Sequence, residues 1–169
     1  MKMETKNKTQ IVKDFKEKSI LVSRKFNAPL EKVWNAYTES DLLGKWWAPE
    51  PWKAETKVMN FNVGGYWLYA MVSPEGERHW GKMNYVAIDH HKSYNLEDAF
   101  CDEDGNINKG LPSSKGQVSF SKTDNGTSVD FKMIYNTEKD LHNIVEMGFE
   151  QGISMTFDSL DNLFSQNKI

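Results

Sequence analysis

The sequence predicts an α+β domain: a curved antiparallel sheet of about seven strands around a long C-terminal helix, with two short helices after the first strand. Two observations carry this. From residue 53 onward, short segments with two-residue alternation recur between Gly, Pro and Asn breaks. Helical periodicity is confined to two regions, one near residues 30–47 and one over 138–165. An antiparallel sheet of that size must bury one face, and the last helix is the element long enough to cover it.

Taken in order, residues 1–18 carry six Lys and three acids and read as a mobile Lys-rich N-terminal tail. Within it Ile11, Val12 and Phe15 have the spacing of one short docking turn. Residues 19–166 are then a single domain. Ser19–Phe26 alternates as a strand, with Val22, Arg24 and Phe26 on one face. Pro29 suits a first helical position and Glu31 the first turn. Leu30, Val33, Trp34 and Tyr37 form the stripe of a short amphipathic helix. Ser40 is a candidate cap for a second helix with Leu43, Trp46 and Trp47 on its buried side, ended by Pro49 and Pro51.

Strands are expected near 53–62, 65–73, 79–89, 92–100, 116–122 and 127–136. The breaks are Gly64-Gly65, Pro74-Glu75-Gly76, Asp89-His90-His91 and Asn125-Gly126. Residues 101–115 are too rich in Asp, Asn, Gly and Ser for regular structure. The final helix shows an apolar face through Leu141, Val145, Phe149, Ile153, Leu160 and Phe164. Gly148 and Gly152 within it each cost roughly 1 kcal/mol against Ala, a cost that close packing or room for a ligand would offset.

Composition narrows the function. The 169 residues carry a net charge of −3, which argues against nucleic-acid binding, since phosphate contacts need a basic face. No apolar run approaches the roughly 20 residues of a membrane span. A single Cys and the lack of a secretory h-region point to the cytoplasm. Hydrophobic residues make up only 38%, yet there are nine Phe, six Trp, six Tyr and eight Met. Such side chains suit a ligand pocket, as rigid area with polar tips or adaptable thioethers.

The residues also carry a family pattern. Phe26-Asn-Ala-Pro-Leu-Glu-Lys-Val-Trp34, Lys45-Trp-Trp-Ala-Pro49, Gly64-Gly-Tyr-Trp-Leu-Tyr-Ala-Met71, Pro74-Glu-Gly76 and Asp124-Asn-Gly-Thr-Ser-Val-Asp-Phe131 occur in this order. Over about residues 20–165 the chain resembles the activator-of-Hsp90-ATPase-type branch of the START-like (SRPBCC) superfamily. The resemblance implies a helix-grip fold. It also implies one of several activities: binding of lipids, hormones or polyketides, cyclisation or hydrolysis, or stimulation of a chaperone ATPase. Two departures stand out. The Lys-rich lead-in is longer than the family usually carries. Many relatives also place an acid on the strand after Gly81, where this chain reads Gly81-Lys-Met-Asn-Tyr85, and a Tyr there is a poor base at neutral pH.

No Walker loop, dinucleotide fingerprint or H-E-x-x-H motif is present, and no cofactor or metal is expected. His90 and His91 read as a solvated corner, and His142 with Glu146 as a surface pair. His79 is placed at the mouth of the space between sheet and helix. The loop from Asp102 to Asn108 begins like a calcium loop, but Ile107 stands where the Gly turn belongs and Ser113 where the closing Glu belongs. The thiolate of Cys101 is disfavoured by the acids that follow it. What remains is an aromatic cavity. Its candidate ligand-binding residues are Trp67, Tyr69, Met71, Met83, Tyr85, Tyr94, Phe131, Met133, Phe149 and Ile153. The leading expectation is a non-enzymatic protein that binds a small hydrophobic molecule there, in a stress-response setting. An Hsp90-type chaperone is the alternative partner. A cyclase or hydrolase is the third reading, weakened because these residues supply no acid–base pair.

Overall fold

A computed structural model describes residues 7–169. Alternation in β2 (Ser19–Phe26) turns Ile20, Val22, Arg24 and Phe26 to one face, where all four are buried. The chain then forms α1 (Leu30–Thr38), with Pro29 one position ahead of the helix, and the four-residue α2 (Ser40–Leu43). Trp46 and Trp47 follow α2 rather than extending it, and both are buried. The Trp46 indole donates to the Ala36 carbonyl at 2.9 Å, tying the second turn back to α1. Ser40 lies inside α2 and Glu39 precedes it, so no side chain caps this helix as expected of Ser40.

Six strands complete the sheet: β3 (Lys53–Met59), β4 (Tyr66–Val72), β5 (Arg78–Asp89), β6 (Ser93–Cys101), β7 (Ser114–Thr123) and β8 (Gly126–Tyr135). β3 to β8 pair as a meander and β8 then pairs with β2; with the N-terminal edge strand β1 (Gln10–Asp14) the order is β1-β2-β8-β7-β6-β5-β4-β3, antiparallel throughout. Register breaks at Thr56/Val58 and Tyr85/Ala87 mark bulges, which add the local bend that lets a long sheet curl.

The eighth strand corrects the expected tail. Residues 10–14 form β1 (Gln10–Asp14), paired with β2 from Gln10↔Ser23 to Asp14↔Ser19. It is an edge strand bearing Lys13 and Asp14, with Val12 exposed and only Ile11 turned toward the core, so it lacks the apolar alternation that marks an interior strand. The helical turn expected of Ile11, Val12 and Phe15 is therefore replaced by strand pairing. The tail's first six residues lie outside those described.

The expected single C-terminal helix is two, α3 (Glu138–Glu146) and α4 (Phe149–Ser165). Thr137 caps α3, its hydroxyl accepting from the Asp140 N–H at 3.0 Å. Gly148, at φ 89°, breaks the helix in the left-handed region that glycine enters without a Cβ clash. α4 crosses the concave face of the sheet, burying Phe157, Leu160 and Phe164. This is the helix-grip arrangement. Among the described residues no helix is long and apolar enough to cross a membrane.

Arg24 holds the grip. It projects from the apolar face of β2 and is 2% exposed. Its guanidinium donates to Asp158 at 2.7 Å and Asp161 at 2.9 Å on α4, and to the Thr9 hydroxyl at 2.9 Å. Arg24→Ala leaves Asp161 facing an apolar surface and is expected to cost about 3 kcal/mol, read as a lowered urea midpoint. Asp158→Asn should cost no more than about 1 kcal/mol, because the Asp158 side chain is 56% exposed. Equal losses from the two would show that the pair with the exposed Asp158, rather than the one with the more buried Asp161, carries what Arg24 contributes.

Candidate functional site

The grip is tight at one end and open at the other. Toward its C-terminus α4 sits on Phe26, whose ring meets Phe157 and Phe164 edge-on at 6.0 and 5.8 Å. Toward its N-terminus the helix stands off the sheet, leaving a cavity of about 260 Å³. The sheet side is formed by Tyr69 and Met71 of β4, Asp98 and Phe100 of β6, and Phe131 and Met133 of β8. Ile144 of α3 and Phe149, Gly152 and Ile153 of α4 face them, and Trp47 closes one side.

Two glycines explain why large side chains line this space without filling it. A Cβ at Gly81 would lie 2.9 Å from the Tyr69 ring, and one at Gly116 would lie 3.1 Å from the Phe131 ring. Both rings therefore lie down on neighbouring strands rather than standing into the cavity. Trp67 stacks on the Tyr69 ring at 4.0 Å and its indole donates to the Thr56 hydroxyl at 2.9 Å, fixing the ring from the other side. On the helix side, a Cβ at Gly152 would meet nothing within 4 Å.

Six of the ten residues expected to line the cavity do so: Tyr69, Met71, Phe131, Met133, Phe149 and Ile153. The other four do not reach it. Trp67 backs Tyr69, and Met83 is buried in the sheet's packed face. Tyr85 and Tyr94 belong to an aromatic plug at the closed end, where Phe61 lies 4.7 Å from Tyr85 and 5.5 Å from Tyr94. Trp34 and Phe120 complete the plug at 5.1 Å from each other. Alternation assigns these residues to the concave face, but α1 and the β3–β4 turn cover that part of it.

The acid of the site is Asp98, which the sequence reading missed. It is partly buried on β6, paired in register with Met83 of β5 and Ser114 of β7. Burial pushes its carboxyl up from the ordinary 3.8 to about 7, with the Ala99 backbone N–H as the opposing influence. Burial above all, and then the Asp98 charge, holds the Tyr69 and Tyr85 phenols well above 10. Tyr135 is raised by the same two causes. A signal was present: Tyr94 faces inward, and a period of two places Leu96, Asp98 and Phe100 on the same face.

The remaining candidates fall outside this chemistry. His79 lines the cavity at its rim, its ring 3.1 Å from Glu77. His90 and His91 are exposed beside Trp34. His142 stacks on Phe15 at 4.3 Å instead of meeting Glu146. Asp102 folds back on its own loop, accepting from the Asp104 and Asn106 N–H groups at 2.9 Å. Burial and Asp102 push the Cys101 thiol up. The cavity thus offers one titratable carboxyl among apolar walls, suited to accepting or giving a single hydrogen bond or proton.

A family model, activator of Hsp90 ATPase homolog 1-like protein, matches residues 27–165. The chain belongs to this family, a branch of the START-like superfamily. No protein of curated function matches it. Among solved structures it is similar to a protein of Mycobacterium smegmatis at 29% identity and a TM-score of 0.85, covering 92% of this chain and 96% of that one. A protein of Arthrobacter aurescens matches at 25% identity and a TM-score of 0.87, with 93% and 91% covered. One from Staphylococcus epidermidis matches at 25% and 0.80, with 93% and 94% covered.

Asp98 leaves a signature in stability. Its folded carboxyl holds a proton up to about pH 7, whereas the unfolded one releases it near 3.9. The folded state binds more protons between those values, so this group's contribution to stability falls as pH rises from about 4 to about 7. Asp98→Asn should therefore melt higher than the parent at pH 8 and close to it at pH 4. A variant that melts lower at pH 8 would show that the carboxylate is well solvated or paired in the folded chain.

Proposed function

We propose that this protein binds a small, mostly apolar molecule in the cavity between the sheet and the N-terminal half of α4, and does so in the cytoplasm. The observation that carries the reading is the cavity itself. Its volume of about 260 Å³ lies near the lower end of ligand sites, which begin around 300 Å³, so the ligand is small. Its walls are aromatic, thioether and aliphatic, with Asp98 and Ser114 as convergent polar groups. Gly152 supports the same reading. A helix-interior glycine costs roughly 1 kcal/mol against Ala, and the space beside this one is open, so a larger residue was sterically available. Its absence keeps the cavity unfilled at the expense of helix stability.

A chaperone role rests on the family description alone, whereas ligand binding has an observation in this chain behind it. The contacting set proposed is Tyr69, Met71, Phe131, Met133, Phe149 and Ile153, with Asp98 as the polar anchor.

The test fills the space from the helix side. Gly152→Ala should raise stability by up to about 1 kcal/mol, and Gly152→Leu should place its side chain in the cavity. Titration with the neutral fluorophore N-phenyl-1-naphthylamine should show saturable binding to the parent, weakened about tenfold or more by Gly152→Leu. Val63→Ser, at a residue 66% exposed, should leave it unchanged. Equal loss from both variants, or native mass spectra and organic extracts free of any adduct together with no titratable binding, would overturn the reading.

A further inference from the structure

Asp98 sits in an apolar cavity without a cation. None of the ion pairs among the described residues includes it, and the opposing influence on its charge is one backbone N–H. We propose that the ligand carries a protonated aliphatic amine on an otherwise apolar body, and that Asp98 is the residue that binds the ammonium. This rests on the cavity being a ligand site and names the class of ligand.

The surroundings of Asp98 support a cation over the alternatives. From β5 it is paired with Met83, and its charge acts on Tyr69 of β4, Tyr85 of β5 and Tyr135 of β8, all phenols held neutral well past pH 10. From β7 it faces Ser114, which carries no charge. On its own strand, Cys101 is held as the thiol. α3 and α4 present Ile144, Phe149, Gly152, Ile153 and Thr156, none of them titratable. Nearby charges are turned elsewhere: the Lys82 ammonium lies over the Tyr66 ring at 4.5 Å, Glu150 pairs with Lys13 of β1, and His79 faces Glu77 at the rim. The formal charge available inside is therefore negative, and a carboxylate ligand would be repelled by it. An alcohol could hydrogen-bond to Asp98 but would leave its charge uncompensated. An ammonium both compensates the charge and gains from the aromatic faces of Trp47, Tyr69 and Phe149, which attract cations.

The two ionisations bracket the binding. An alkylammonium keeps its proton up to about pH 10, like Lys, and Asp98 in the empty cavity loses its own near pH 7. Ammonium and carboxylate coexist between those values. Below pH 7, binding must first expel the Asp98 proton to solvent, so affinity falls with pH on that side.

Calorimetric titration of the full chain with 2-phenylethylamine, 2-phenylethanol and 3-phenylpropionate, at pH 8 and 5.5, tests this. At pH 8 the amine should bind about tenfold or more tightly than the alcohol, the size of a charge-assisted hydrogen bond, and the propionate most weakly. The amine's advantage over the alcohol should shrink severalfold at pH 5.5 and vanish in Asp98→Asn. The pH comparison on the parent chain stands even if that variant fails to fold. Alcohol binding with no preference for the amine, or a preference that survives Asp98→Asn, overturns the amine assignment and leaves the cavity reading intact. Failure of all three probes to bind the parent overturns the amine assignment, and failure of N-phenyl-1-naphthylamine as well, with no adduct in native mass spectra or extracts, overturns both.

Discussion

One end of α4 is pinned to the sheet and the other is not, and the functional geometry of the chain follows from that asymmetry. The pin is Arg24, a guanidinium on an otherwise apolar strand face, reaching Asp158 and Asp161 one turn apart on the helix. An unpaired charge in that position would be strongly unfavourable, so the pairing sets where the helix lies as well as how firmly. Phe157, Leu160 and Phe164 pack around it. Six residues before Asp158, Gly152 contributes no side chain to fill the gap, and Gly148 interrupts the helix before it can continue along the axis of α3.

The sheet is matched to this. Gly81 and Gly116 let the Tyr69 and Phe131 rings lie flat, so aromatic area faces the cavity without occupying it. At the opposite end Trp34, Phe61, Tyr85, Tyr94 and Phe120 pack edge to face with no such relief, and the concave face is solid there. The same side-chain chemistry thus builds a plug at one end and a wall at the other, and glycine placement separates the two. Asp98 sits on the wall. Its raised carboxyl records the cost of placing an acid where a hydrophobic residue would stabilise the fold more.

Much of the fold was legible in local pattern. Strands β3 to β8 fall within a few residues of the alternating segments, and the glycine and proline breaks mark their ends. The edge strand β1 was not legible, because an exposed, charged edge does not alternate; its identity comes from pairing with β2. The helix break was read as two costly glycines inside one helix. Only the backbone shows that Gly148 has left the helical region while Gly152 stays inside it. For the site, alternation places residues on the concave face but does not say which of them α1 and the β3–β4 turn cover. Trp67, Met83, Tyr85 and Tyr94 share that face and lie outside the cavity. Asp98 escapes sequence reasoning because an acid on a strand reads as outward-facing, although the phase established by Tyr94 points it inward.

What the amino-acid sequence determined by itself is therefore the set of elements, the face each strand turns inward, and the family. These depend on periodicity, turn chemistry and short motifs, all of which act within a few residues. Only the tertiary structure decided that the concave face is part plug and part cavity, that Arg24 is satisfied by the last helix, and that a lone carboxyl opens into the apolar space. Those outcomes depend on contacts between residues more than a hundred positions apart, such as Arg24 with Asp158. They also depend on where a helix stops touching a sheet, which no local pattern encodes.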